Sequence, residues 1–169
     1  MILGIPTALY TMVHIVLSLM GIGSGFVVLS GLLAGKRLEG WTAVFLITTA
    51  ATSLTGFGFP FQTLMPAQII GFISLAVLMV AILARYSLRL AGAWRPTFVI
   101  AVLIALYLNV FVAIVQAFEK IPALKALAPT QSEPPFLVAQ LLVLAVFIVV
   151  GVLTTKRFRE PAQAAAKTA

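Results

Sequence analysis

Cysteine and aspartate are both missing from this chain of 169 residues, and histidine occurs once, at His14. Without cysteine there are no disulfides, no thiolate metal sites and no thiol nucleophile, and the redox compartment is left unmarked. Acidic groups are nearly as scarce: Glu39, Glu119, Glu133 and Glu160 are the only four, against eleven lysines and arginines. Neither paired carboxylates nor a serine–histidine–acid set can be assembled, so the chain reads as no enzyme. One histidine cannot provide both axial ligands of a bis-histidine haem within one chain, and zinc would need carboxylate help that no span offers. No cofactor and no metal are expected.

Charge of either sign is low. Only 9% of residues are charged, where a soluble domain carries about 25%, and 62% are hydrophobic. Water does not solvate such a surface, whereas hydrocarbon does. A bilayer core of about 30 Å takes about 20 apolar residues in a helix. Five stretches come near or exceed that length, at about 7–34, 42–59, 67–84, 97–118 and 136–155. In lipid only a helix or a closed barrel satisfies its own backbone, and "LLVLAVFIVVGVL" lacks the alternation of a barrel strand. The expected fold is therefore an all-α bundle of five transmembrane helices. It forms one domain, 1–155, with an outer loop at 119–135 and a basic, disordered tail at 156–169. The start, "MILGIPTALYTMVH", has neither a basic leader nor a small-residue cleavage site, so it reads as a retained span.

Charge placement orients the bundle. Lys36 and Arg37 lie in the first connection, Arg85, Arg89 and Arg95 in the third, and Lys156, Arg157, Arg159 and Lys167 in the tail. Only Lys120 and Lys125 fall on the other side. The positive-inside rule then puts the N-terminus outside and the C-terminus in the cytoplasm. The same distribution excludes a nucleic-acid surface, because the basic residues border membrane spans and do not form a stacking patch.

Polar side chains gather in the outer halves of the spans. His14 lies about two turns into the first helix. Thr48, Thr52 and Thr55 fall on one face of the second by the i, i+4, i+7 spacing. Tyr107 and Asn109 lie near the middle of the fourth, Gln116 near its outer end, and Gln140 one turn into the fifth. His14, Thr52, Thr55, Asn109, Gln116 and Gln140 are the candidate contacts of an outward-opening pocket for a small amphiphile, a quinone or a lipid headgroup. The same groups would equally serve as hydrogen bonds between helices. "FEKIPALKALAPTQSEPPF" would roof that side, with Ile121, Leu124 and Leu127 at the spacing of a short amphipathic helix.

Two further readings stay open: a transporter or channel component for a neutral solute, and a structural subunit of a membrane complex or homo-oligomer. Proton coupling finds no intramembrane carboxylate. "GIGSG" follows no strand, so it is not a dinucleotide fingerprint. Its Gly21-x-x-x-Gly25 spacing, like Gly31-x-x-x-Gly35, suits close helix packing or a docking face.

At "TSLTGFGFPF", "ARY", "GAWR", "LYLNVFV" and "LAPTQSEPPF" the chain resembles a group of uncharacterised bacterial multi-span membrane proteins. The resemblance implies a bacterial inner-membrane location and transfers no catalytic residue. The architecture is also loosely similar to helical cytochrome-b-like proteins, but the paired histidines are absent and haem is not carried over.

Overall fold

A computed structural model describes residues 1–59 and 66–158. They form six α-helices: α1 (Thr7–Leu33), α2 (Glu39–Gly56), α3 (Pro66–Ile82), α4 (Trp94–Lys120), α5 (Pro122–Leu127) and α6 (Pro134–Arg157), with a π-helical turn (Leu83–Ser87) continuing α3. The fold is all-α, as composition requires. Helices α1, α4 and α6, and α3 with its π-helical turn, are long and apolar enough to cross a membrane. Large apolar side chains such as Ile47, Phe72, Met79, Leu141 and Ile148 point outward all round the bundle. Such a surface fits hydrocarbon and marks a membrane protein.

α2 is the exception among the long helices. Its 18 residues reach about 27 Å, but they include Glu39, two glycines and several hydroxyl residues, which lower its apolarity. It is instead well packed, with Phe45 and Thr49 fully buried.

Helix ends follow local chemistry. α1 stops at a Schellman turn, in which Gly35 at φ +70° lets Lys36 N–H reach Gly31 O at 2.8 Å and Gly35 N–H reach Leu32 O at 3.1 Å. Prolines stand in the first turn of α5 and α6, where their missing N–H costs no hydrogen bond. Helix bounds differ from the hydropathy reading by up to three residues at both ends: α2 ends at residue 56 and not 59, α4 at 120 and not 118, and α6 at 157 and not 155. α2 begins at residue 39 and not 42, α4 at 94 and not 97, and α6 at 134 and not 136. In each case a first turn of polar residues or proline is already helical, and hydropathy does not register it. The basic tail is likewise shorter than 156–169, because Lys156 and Arg157 belong to α6; residues 159–169 lie outside the described residues.

α4 is the centre. Its Phe98, Val99, Val102, Ala105 and Leu106 are at most 0% exposed and join α1, α2 and α3 in one core. Within the protein, 44% of its most apolar stretch is buried, against 17% for α6, so α4 is the hub and α6 a flank. The bundle has two distinct ends. At one, Gly31 meets Leu38, Arg85 faces Glu39, and Arg95 lies 5.2 Å over the Phe158 ring. At the other, Tyr10 reaches Thr55, and Phe118 stacks edge-on against Phe136 at 5.4 Å. The short helix foreseen in the long connection is α5, whose Leu124 packs on Phe118, Ala128 and Phe136 while Ile121 and Leu127 stay exposed.

Candidate functional site

Four of the six candidate contacts, His14, Thr55, Asn109 and Gln140, fall into three separate hydrogen-bonded groups. Nearest the end of α1, Tyr10 Oη donates to Thr55 O at 2.8 Å and His14 Nδ1 lies 2.8 Å from Thr55 Oγ1. The Thr55 hydroxyl donates its one proton to Ala51 O at 2.8 Å, so it accepts from His14. That assigns the proton to Nδ1 and leaves Nε2 as an acceptor, with the Phe59 ring edge-on at 5.3 Å. Thr48 and Thr52 bond back to Val44 O and Thr48 O at 2.7 and 2.9 Å, which settles their hydroxyls within α2.

Deeper, Asn109 Nδ2 donates to Thr49 Oγ1 at 3.1 Å, joining α4 to α2. The approach is possible because Gly21 of α1 faces them; a Cβ there would lie 3.1 Å from Thr49 Oγ1 and 3.4 Å from Asn109 Nδ2. Gln140 forms a third group, donating from Nε2 to Phe111 O at 3.2 Å and tying α6 to α4. Its Oε1 is buried without a hydrogen-bond partner among the described residues. Gln116 is exposed.

The glycine spacing also resolves. Gly25 lies against Leu106 and Phe45, and Gly31 against Leu38, so this face is filled within the chain and is not free to dock a partner. Gly35 packs against nothing within 4 Å and serves as the turn that ends α1.

None of the six candidates lines an apolar groove of about 480 Å³ between α4 and α6. Ile100, Leu103 and Tyr107 form one wall, and Phe147, Gly151 and Lys156 belong to the other. Tyr107 and Phe147 meet edge to face at 5.6 Å, and a Cβ at Gly151 would lie 3.4 Å from Leu103 Cδ1, in ordinary contact. Along α6 it runs from Leu144 to Lys156, about 18 Å at 1.5 Å per residue. That exceeds half of a 30 Å hydrocarbon core, the depth of one leaflet, by little. Lys156 stands at the basic end of the groove. Sequence reading missed this groove, because its walls carry the same apolar residues as any lipid-facing helix; Gly151 beside Lys156 was the available signal.

In comparison with known proteins, no protein family, no curated sequence and no solved structure matches this chain.

Proposed function

We propose that the protein is a five-span inner-membrane protein of bacterial type, without catalytic activity, that holds an anionic amphiphile in the α4–α6 groove. The groove carries this reading: it is leaflet-deep, apolar along its length and ends at a cation. An acyl chain leaving the bilayer for the groove gains little, since lipid is as apolar as the protein wall. Selectivity must therefore come from the head. Lys156 at the boundary favours a negative headgroup by about 1 kcal/mol, or about fivefold.

Orientation supports the choice of leaflet. Lys36, Arg37, Arg85, Arg89, Arg95, Lys156 and Arg157 all belong to one end of the bundle, and Lys120 and Lys125 to the other. The positive-inside rule makes the first end cytoplasmic and the N-terminus external. α2 then crosses as the fifth span, shielded by α1, α3 and α4 from the lipid its hydroxyls would disfavour. The bacterial inner membrane rests on the segment resemblance and on this charge asymmetry.

Native mass spectrometry of the purified protein in mild detergent tests the reading. Phosphatidylglycerol should be retained over phosphatidylcholine of equal chain length, Lys156→Gln should remove the preference, and Gly151→Leu should block both lipids. Equal retention of both lipids by the wild type and both variants would refute it.

A further inference from the structure

A second hollow lies at the basic end, away from the groove. It has a volume of about 320 Å³ and is lined by Arg37, Glu39, Arg85, Tyr86, Arg89 and Leu90. Three guanidinium groups share it with one carboxylate, so it carries an excess of two positive charges. Its size is at the lower end of small-ligand sites.

The placement of two of these arginines is built by the fold. The side chain of Arg85 is only 7% exposed, and its Cζ lies 5.5 Å from the Phe98 ring centroid and 5.7 Å from that of Tyr86. Its carboxylate neighbour, Glu39, is 83% exposed and stands 3.8 Å away. A charge-assisted hydrogen bond would be about 2.7–2.9 Å, so Glu39 leaves the planar donor fork largely unsaturated. No N–H of this guanidinium is buried without a partner among the described residues, so the donors that Glu39 leaves open face the cavity and suit an acceptor with several oxygens.

Arg89 is delivered by an unusual chain path. The π-helical turn (Leu83–Ser87) is closed by Leu88 N–H to Leu83 O, and Leu90 N–H returns to Ala84 O, both at 2.9 Å. Arg89 and Leu90 then take left-handed φ values of 49° and 57°, a conformation that non-glycine residues rarely adopt. Burial of Leu90, 3% exposed in the main core, holds this arrangement and leaves Arg89 in the cavity wall. Strained non-glycine pairs and π-turns concentrate at functional sites. Arg37 comes from the connection after α1, and Glu39 opens α2, whose first turn has no side-chain cap.

From these positions we infer a phosphate-binding site: the Arg37–Arg85–Arg89 cavity takes a phosphate group, as a monoester or a diester. Guanidinium forks match phosphate oxygens in pairs, whereas one carboxylate is too few to hold a divalent cation in the same space. The phosphate can belong to a lipid head or to a soluble phosphoester, since the cavity sits where α2 and the π-turn reach the membrane boundary.

The test uses the full chain in detergent, with glycerol 3-phosphate and inorganic phosphate as soluble probes in calorimetric titrations. A parallel arm compares nanodiscs of phosphatidic acid with nanodiscs of phosphatidylcholine. Arg37→Gln and Arg89→Gln are the informative variants, because both side chains are exposed and their loss leaves the core intact. Each should weaken soluble-phosphate binding by about tenfold or more, with an unchanged melting temperature in the absence of ligand. If only the phosphatidic acid arm depends on Arg37 and Arg89, the site is a headgroup site; if the soluble probes do, it serves a soluble phosphoester. Binding that is absent in both arms, or unaffected by both substitutions, overturns the proposal.

Discussion

Two glycines of α1, Gly23 and Gly25, should respond to alanine in opposite directions. At Gly25 a Cβ would lie 2.5 Å from Leu106 Cδ1 and 2.9 Å from Phe45 Cε2, and both side chains are 0% exposed. Neither can swing into free space, so relief requires α1 to move away from α2 and α4. Overpacking of this kind costs about 1–3 kcal/mol, and the enclosed position puts Gly25→Ala near the upper figure. The helix propensity of alanine returns about 1 kcal/mol, leaving a net loss of about 2 kcal/mol. At Gly23 a Cβ meets nothing within 4 Å, so Gly23→Ala keeps only the propensity gain. On the scale of soluble domains of this size, the expected shifts in melting temperature are about −4 to −8 °C for Gly25→Ala and about +2 to +4 °C for Gly23→Ala. Tryptophan fluorescence, from Trp41 and Trp94, follows unfolding of all the proteins in one detergent. Leu106→Ala supplies the decisive background. Alone it opens a cavity at a cost of about 2–5 kcal/mol, but combined with Gly25→Ala the two should cost less than their sum, by about 0.5–3 kcal/mol. Equal melting of the two glycine variants, or strict additivity with Leu106→Ala, would refute the packing argument.

Topology can be read directly because the chain has no native cysteine. With five spans, a membrane-impermeant maleimide should label Phe59→Cys and Gln131→Cys in intact cells and Lys36→Cys only after permeabilisation; Phe59→Cys behaving like Lys36→Cys would mean that α2 does not cross. Glu133 carries a pH dependence. Desolvation pushes its pKa up, but hydrogen bonds from the Thr130 hydroxyl at 2.9 Å and from the Thr130 and Ser132 N–H groups, each at 3.1 Å, outweigh it and hold the carboxyl below its ordinary range. A lowered folded-state pKa stabilises the turn above the ordinary carboxylate pKa, and that contribution is lost as pH falls through the lowered value. Wild type should therefore melt above Glu133→Gln at neutral pH and converge with it in acid, and a gap constant with pH would contradict the assignment.

The extents of the helices along the chain were legible in the sequence, and rotations about the helix axes were not. Hydropathy, proline and charge locate where a segment enters and leaves lipid, which is why the long helices and α5 emerge close to their expected places. The errors at the starts of α2, α4 and α6 are made where Glu39, Trp94–Arg95 or Pro134–Pro135 begins a helix that an apolar window ignores. Which polar group meets which depends instead on azimuth. His14 finds Thr55, 41 residues away, and Asn109 finds Thr49, 60 residues away. The candidate sites are hidden for the same reason. The α4–α6 groove is a gap between two apolar surfaces, marked chemically by little more than Tyr107, Gly151, Thr155 and Lys156. The arginine cavity was read as a string of cytoplasmic border charges, "ARYSLR", because nothing in residue type announces a π-turn. That turn, together with the left-handed Arg89–Leu90 pair, gathers border charges around one cavity. A substitution that straightens this path, such as Leu90→Asp, should therefore disperse the cluster even with all three arginines still present.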